Sequence, residues 1–335
     1  MIASKNITKI IISIIIFSFA LLSPVGALEL NSATNAAQGI EISPALVELN
    51  VSRGQTYSID LNVMNVTASD MVYNSSVNDF SAADETGSPK ISLDSKLPNT
   101  ASINTWLGEI PQFTLKPRQY KSIVARVAIP WDAEPGGHYG VLRFFGDTPE
   151  LKAGNVGLTA SAGLLILLRV DGVINESASL ASFFSSQADK QSFFFESSPI
   201  KLIARIKNEG NIHIKPFGKI ELRDTFGKIV STIPLNADQA NVLPDSIRKF
   251  EVEISEKWMI GRYTASLNLG YGTTGQAIVS TISFWVIPYK LIISALLVLI
   301  TIIYVLVRLV RVYNRHIIAK SKNEEISKNK KASKK

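Results

Sequence analysis

The sequence contains no cysteine and only three histidines among its 335 residues. Without cysteine the chain can form no disulfide, no thiolate metal site and no thiol nucleophile, so its domains must be held together by their hydrophobic cores. A zinc site usually needs three or four nitrogen, sulfur or oxygen ligands, and two or three scattered histidines supply too few. We therefore expect no metal and no cofactor.

Sequence signatures of catalysis are equally scarce. Only His138 and His213 precede the basic C-terminal segment, and no serine stands in a Gly-x-Ser-x-Gly elbow. Asp132 and Glu134 are two residues apart, but such pairs are common on exposed strands. Gly270-Tyr-Gly-Thr-Thr-Gly275 has the spacing of a dinucleotide-binding loop, yet a strand pattern rather than a helix follows it. We predict a hairpin at this position and a protein that is not an enzyme.

One long apolar stretch lies near the C-terminus. Leu291–Val307 is seventeen residues without a charge, and apolar residues extend it on the N-terminal side. A membrane-spanning helix needs about 20 such residues. Trp285 and Tyr289 stand where aromatic side chains mark a membrane interface. We predict a transmembrane helix over 285–310, followed by a basic cytoplasmic tail over 311–335.

The positive charge of the chain is concentrated behind this stretch. Residues 308–335 hold ten Lys or Arg and two Glu, which gives this segment a net charge of +8. Lys5 and Lys9 add +2, and the net charge of the whole chain is +7. Residues 10–307 therefore carry −3. Short basic flanks stay in the cytoplasm, which places the C-terminus inside and the residues before 285 outside. Nucleic-acid binding is not expected, because no basic face remains outside the tail.

The N-terminus predicts export. Lys5 and Lys9 precede an apolar run over 10–22, and small residues at 25 and 27 favour cleavage after Ala27. We predict a signal peptide over 1–27 and a short polar tether over 28–39. The alternative is an uncleaved anchor, which would give two spans with both ends of the chain inside.

The exported part has the pattern of β-structure. Apolar residues alternate with polar ones at period two, for example over 57–63 and 263–269, which is typical of strands with one buried face. Ile40–Leu49 predicts a first strand with an edge or a bend at Pro44. Residues 81–105 form a long polar connection, which is either a functional loop or a disordered one.

The two halves of the exported part repeat each other weakly. Each half places an Asn at a strand end, then a Pro, a Trp fourteen residues after it, and a Tyr: Asn65, Pro117, Trp131 and Tyr139, against Asn208, Pro244, Trp258 and Tyr263. We predict an all-β fold of two tandem immunoglobulin-like β-sandwich domains, 40–172 and 173–284, followed by one transmembrane α-helix. Packing of Trp and Tyr is expected to fill the core where antibody domains have a disulfide.

The sequence of the turn between two predicted strands of the first half resembles a motif of a known protein family. Its residues are Ile129-Pro-x-Asp-Ala-x-Pro-Gly-Gly-x-Tyr-Gly140, supported by Ile42-Ser-Pro44, Leu115-Lys-Pro117 and Asn208-Glu-Gly-Asn211. Over about residues 40–310 the chain resembles the WxL-interacting family of bacterial cell-surface proteins. These have a signal peptide, two immunoglobulin-like domains, one C-terminal membrane helix and a basic tail. The family's Pro-Gly turn is Pro117-Arg118 here, which is a departure from the pattern.

The resemblance implies a binding function. The first domain would recognise the cell-wall polymer peptidoglycan and the second a surface protein, which makes the chain a membrane-anchored adhesion or scaffolding protein. The candidate contacts are Trp131, His138 and Tyr139, with His138 expected in a turn at the mouth of the first sandwich. Core packing would explain Trp131 and Tyr139 equally well.

Two other functions stay open. A wider resemblance to chaperone-like immunoglobulin-type modules implies the same fold without a particular ligand. The second hypothesis is a membrane-tethered assembly factor that adds a β-strand to an exported protein, which predicts an exposed edge strand and no affinity for wall material. Hydrolysis of wall fragments is the third hypothesis.

Overall fold

The computed structural model of the chain describes residues 39–92, 101–147, 161–187, 190–256 and 258–332. The predicted signal peptide, the tether up to residue 38 and the last three residues of the predicted tail lie outside the described residues. Part of the 81–105 connection does so too.

The first half of the described chain consists of short and medium strands. They are β1 (Ile40–Ser43), β2 (Leu46–Val51), β3 (Thr56–Asn65), β4 (Met71–Ala82), β5 (Pro89–Ile91), β6 (Phe113–Leu115), β7 (Tyr120–Ala128), β8 (Gly136–Asp147) and β9 (Ser161–Val170).

The second half repeats this organisation and ends in a helix. Its elements are β10 (Ala178–Gln187), β11 (Lys190–Gln191), β12 (Phe194–Phe195), β13 (Ile200–Asn208), β14 (Phe217–Arg223), β15 (Ile229–Leu235), β16 (Ile247–Ile254), β17 (Gly261–Tyr271), β18 (Gln276–Val286) and α1 (Tyr289–Ala332).

The first sandwich packs two sheets face to face. One sheet has the order β1-β3-β7, and the other has the order β2-β9-β8-β4-β5, with β6 also paired to β4. The predicted first strand is bent at Pro44, because β1 pairs with β3 in one sheet while β2 runs parallel to β9 in the other. The bend expected there is confirmed. Alternating side chains from both sheets, such as Leu61, Phe144 and Ile166, fill the core.

The second sandwich is built in the same way. Its sheets have the orders β11-β10-β13-β16 and β12-β18-β17-β14-β15. Its core contains Leu202, Ile220, Leu267 and Phe284, each without accessible surface. The fold is therefore all-β with two tandem immunoglobulin-like sandwiches, as predicted. β17 and β18 are joined as a hairpin at Tyr271 and Gln276, which confirms the hairpin predicted at Gly270–Gly275.

The internal repeat has a structural basis in two buried asparagines. The Asn65 side chain donates to the carbonyl of Leu115, at 3.0 Å, and the Asn208 side chain donates to that of Val242, at 2.8 Å. In each sandwich this side chain joins the end of one strand to the segment before the next Pro, so that the buried amide pairs with main-chain groups. The Asn-to-Pro pattern that repeats in the sequence therefore reflects the same side-chain hydrogen bond in both sandwiches.

The packing predicted for the repeated aromatic residues is half correct. Tyr139 and Tyr263 are buried, but the Trp131 and Trp258 side chains are 78% and 81% exposed. The expectation that these tryptophans fill the cores is therefore wrong. Each follows a strand end in a loop, and the Trp131 indole lies against Gly54, where a Cβ atom would come within 2.3 Å of the ring.

The C-terminal helix begins later than predicted. It starts at Tyr289 rather than Trp285, because Trp285 and Val286 still pair with Arg262 and Gly261 in the last sheet. Within the described residues it is the one helix long and apolar enough to cross a membrane, over Tyr289–Arg315. The helix continues beyond residue 310 to Ala332, so the predicted boundary between span and tail is not a structural boundary.

Candidate binding site at the domain junction

Two glycines at the start of β8 let the second sandwich approach closely. Gly136 has a φ of 126°, which favours glycine, and a Cβ atom there would lie 2.7 Å from the Asn211 carbonyl oxygen. The next residue, Gly137, donates its N–H to the same oxygen at 2.7 Å. The Asn211 side chain in turn donates to the Pro135 carbonyl. The corner that carried the family resemblance is thus a contact between the sandwiches.

Tyr139 joins the two sandwiches through a half-buried histidine, His213. Its hydroxyl oxygen accepts the His213 backbone N–H at 2.8 Å and lies 3.2 Å from His213 Nδ1. With that lone pair occupied, the hydroxyl hydrogen is free to donate to Nδ1. The two rings meet edge to face, with their centroids 5.7 Å apart.

Burial sets the protonation of this pair. Desolvation lowers the pKa of His213 to about 4, although the charge of Glu48 opposes the shift; the charges of Lys215 and Arg169 add to it. Desolvation likewise raises the pKa of Tyr139. Both rings are therefore neutral near pH 7, as the hydrogen bond between them requires.

Charged groups surround this neutral pair. Glu48 on β2 accepts hydrogen bonds from Lys215 and from Asn241, both in the second sandwich. Burial alone would raise the pKa of Glu48, but these hydrogen bonds outweigh it and the pKa is lowered. Glu176, between the sandwiches, lies 3.5 Å from Arg169 and accepts from the Thr273 backbone and hydroxyl.

The turn between β4 and β5 makes a second contact. Glu85 pairs with Arg205 on β13, and its carbonyl accepts the Lys249 N–H of β16 at 2.6 Å. The Arg248 guanidinium packs on Gly87 of the same turn. The N-terminal part of the 81–105 connection is thus an ordered contact with the second sandwich, while 93–100 lies outside the described residues.

Two clefts flank the Tyr139–His213 pair. One, of about 340 Å³, is lined by His213, Arg169, Lys215 and Glu48 and so combines both signs of charge. The other, of about 370 Å³, is lined by Tyr139, His138 and the loop around Pro244. Polar groups converge on both clefts from two domains, which is a common setting for a binding site.

Of the three residues predicted as contacts, the structure brings His138 and Tyr139 to one cleft, from opposite faces of β8, and leaves Trp131 apart from them. Trp131 is exposed on the loop before β8. His138 lies in β8 and is 2% exposed, so the prediction of a turn residue is wrong: its ring stacks on Trp106 and its Nε2–H donates to the Glu134 carbonyl. Burial lowers the pKa of His138. Tyr139 points to the opposite face of β8, towards Phe80 and the second sandwich.

The sequence reasoning missed His213 and Glu48 as parts of this site. The signal for His213 was present, because it stands in the second half in an Asn-Ile-His run after a predicted strand end. Its partner Tyr139 is 74 residues away, however.

The described residues hold no group of three or more His, Asp or Glu that could bind a metal ion. His138 and His213 are each committed to a hydrogen bond and an aromatic contact. The arrangement around them presents polar and charged groups from both sandwiches to a ligand.

A second feature outside the junction could bind a partner. β7 is at the edge of its three-stranded sheet, and in the described chain its outer side is paired only at residues 126–128, by Trp106–Gly108. The preceding part of β7 carries the exposed side chains of Tyr120 and Val124. Beside it lies a shallow depression on the outer face of the sheet, lined by Glu41, Asn62 and Tyr120.

No family model matches the sequence, and the search of curated proteins gave no match.

The chain is similar to solved structures of fimbrial chaperones. The class 5 fimbriae chaperone CfaA is 12% identical, with 72% of this chain and 98% of that chain covered and a TM-score of 0.37. The E. coli chaperone DraB is 15% identical, with 74% and 96% covered and a TM-score of 0.34. A Salmonella enterica SafA pilin–SafB chaperone complex gives 13% identity, 74% and 96% coverage and a TM-score of 0.31. Identity this low concerns the type of fold alone, so we take no function from these structures.

Proposed function

We propose that the chain is a membrane-anchored, non-catalytic binding protein that holds an exported or surface protein by β-strand addition. The helix over Tyr289–Arg315 would anchor it, with the basic residues after it inside the cell and both sandwiches outside. The observation that carries the binding mode is the open edge of β7.

This edge has the properties that strand addition requires. Residues 120–125 offer main-chain groups over about 20 Å, which is enough for a six-residue strand. Val124 and Tyr120 are exposed and uncharged, and between them Lys121 places its Nζ over the Phe113 ring, 4.6 Å from the centroid. Open edges pair readily with another chain, and a lysine opposes this only where its charge meets the incoming strand.

Three of the other sheet edges, formed by β15, β16 and β2, are less suited to this mode. β15 carries Pro234, which lacks an N–H and is typical of a protected edge. β16 already receives the Glu85 carbonyl at Lys249. On β2, Glu48 is engaged with the second sandwich.

A second candidate function rests on Trp131. Its indole lies over Gly54 and leaves most of its surface to solvent, as in a platform on which a sugar ring can stack. Together with the resemblance to the WxL-interacting family, this favours recognition of peptidoglycan by the first sandwich.

Co-sedimentation with isolated cell wall tests both functions. The full-length protein in detergent is incubated with wall that keeps its bound proteins and with wall stripped of protein. We expect pelleting with the unstripped wall alone, and loss of pelleting in Val124→Lys. Val279→Lys is the matched control, because Val279 is an exposed strand valine of the second sandwich.

The outcomes separate the candidates. Pelleting with stripped wall that is abolished in Trp131→Ala would replace strand addition by polymer recognition. Equal pelleting of Val124→Lys and the wild type would remove the β7 edge from the proposal.

A further inference from the structure

Exposed aromatic and apolar side chains gather at the end of the second sandwich from which α1 emerges. This helix-proximal patch consists of Phe193, Phe194, Phe226, Trp258, Ile260 and Trp285. The Phe226 side chain is 94% exposed and that of Trp258 81%. Single exposed apolar residues are ordinary on protein surfaces, but a contiguous group of large ones marks a contact surface.

Strand pairing places these residues at the same height along the strands of the second sandwich, beside the end of β18. Phe194 is the register partner of Trp285, and Trp285 is in turn the partner of Arg262 at the start of β17. Ile260 immediately precedes that strand. The Thr225 hydroxyl, next to Phe226, donates to the Arg262 carbonyl and accepts the Arg262 N–H. The patch therefore lies at the level where β18 ends.

The connection to the helix is too short to keep this level away from a membrane. Only Ile287 and Pro288 separate Val286, the last residue of β18, from Tyr289, the first residue of α1. The three steps from residue 286 to residue 289 span at most about 11 Å. They are shorter than that here, because the Tyr289 N–H donates to the Ile287 carbonyl at 2.7 Å and turns the chain back.

The depth of the helix follows from its length. The uncharged run Leu291–Val307 covers about 25 Å of a hydrocarbon core that is about 30 Å thick. The outer boundary of that core must then lie close to Tyr289. The headgroup layer adds roughly 5 to 8 Å on each side. The end of β18, and with it the patch, is therefore held in or next to the headgroup layer.

We propose that the helix-proximal patch is a membrane-docking surface, with Phe226 and Trp258 inserted among the lipid headgroups. The inference rests on the proposed anchoring of α1 in the membrane and extends it from the helix to the second sandwich. Aromatic side chains favour this layer because one part of the ring is apolar and the layer is partly hydrated. The ion pair between Lys290 and Glu196, 2.7 Å long, ties the first turn of α1 to the segment that carries Phe194. Docking would hold the second sandwich in one orientation against the membrane surface, whereas without it the sandwich would be free to tilt about its connection to α1.

The absence of cysteine allows a direct test in the full-length chain. Single-cysteine variants Phe226→Cys, Phe217→Cys and Leu297→Cys carry a polarity-sensitive fluorophore and are reconstituted in vesicles of phosphatidylcholine and phosphatidylglycerol. Quenching by brominated phosphatidylcholine reports contact with lipid, with the bromines near the top of the acyl chains for positions 226 and 217 and near the chain ends for position 297. Phe217 is the matched control, because it is an exposed aromatic residue of the same sandwich at the opposite end of β14.

We expect the label at 226 to be quenched at least about threefold more strongly than the label at 217, with a blue-shifted emission. Strong quenching at 297 together with equal, weak quenching at 226 and 217 would overturn the docking surface and leave the anchor intact. Weak quenching at all three positions would overturn the anchor and the docking surface together.

Discussion

At the scale of single residues, the two buried asparagines organise the strand ends of both sandwiches. Asn65 Nδ2 donates to the carbonyls of Ser69 and Leu115, and its Oδ1 accepts from Thr67. Asn208 makes the corresponding contacts with Ile212, Val242 and Gly210. Replacing either side chain would leave buried main-chain groups without partners, which costs more than the hydrogen bonds themselves contribute.

We therefore predict that Asn65→Ala and Asn208→Ala each lower the free energy of unfolding by about 3 kcal/mol. Asn62→Ala is the matched control on β3, because the Asn62 side chain is exposed and bonds only to the Ser122 hydroxyl. It should cost about 0.5 kcal/mol or less. Denaturant unfolding of the full-length protein in detergent measures all three. An Asn65→Ala protein as stable as Asn62→Ala would contradict the assigned role.

At the scale of structural elements, a strand could be predicted from the sequence where its apolar and polar side chains alternate regularly. β13 and β17 were predictable because each has one face on which alternate side chains are buried. β10 was not, because its register shifts between Leu180 and Ser182 and its side chains do not alternate in burial. The helix was predictable from its apolar run, but its first residue was not, since the apolar pattern continues from β18 into α1.

The candidate site was harder to predict than the elements that carry it. Tyr139 was selected as an aromatic residue beside a turn, yet its role depends on His213, which the other sandwich supplies. Trp131 was selected as an aromatic residue beside a turn, and no local pattern shows that Gly54 supports its ring. Contacts between distant residues depend on how the sandwiches pack, and no spacing within one strand encodes them.

The turn that precedes β7 allows a further prediction for a structural element. Arg118 has a φ of 58°, a left-handed conformation that costs a side-chain-bearing residue about 1 kcal/mol or more. This is the position where the resembling family has glycine. Arg118→Gly should therefore unfold at the same temperature as the wild type or up to about 5 °C higher, since relief of strain is partly offset by backbone entropy.

Arg118→Val should instead lower the unfolding temperature, because a β-branched residue tolerates this φ poorly. Lys116→Val is the control, because Lys116 is an exposed residue of the same turn whose φ is not positive. A marked loss of stability in Arg118→Gly, with Arg118→Val unchanged, would show that the backbone there is not strained.

At the scale of the whole molecule, a neutral histidine, His213, joins the two sandwiches, and the stability of the folded protein therefore depends on pH. The folded protein holds the pKa of His213 near 4, whereas in the unfolded chain it is about 6.5. Above pH 6.5 both states leave the imidazole neutral, and the pair with Tyr139 contributes fully. As the pH falls from 6.5 towards 4, only the unfolded chain takes up the proton, so stability is lost.

We predict that between pH 6.5 and 5 the wild type loses about 1.5 kcal/mol more stability than His213→Asn, whose side chain cannot be protonated. Glu48 does not obscure this window, because its lowered pKa keeps it ionised there. His138, whose pKa is also lowered, loses stability in both proteins alike. Lys215 and Arg169 are the cations whose charges act on the ring, and both residues are present in the two proteins alike. Denaturant unfolding across this pH range measures the difference, and parallel curves for the two proteins would mean that His213 does not couple the sandwiches to pH.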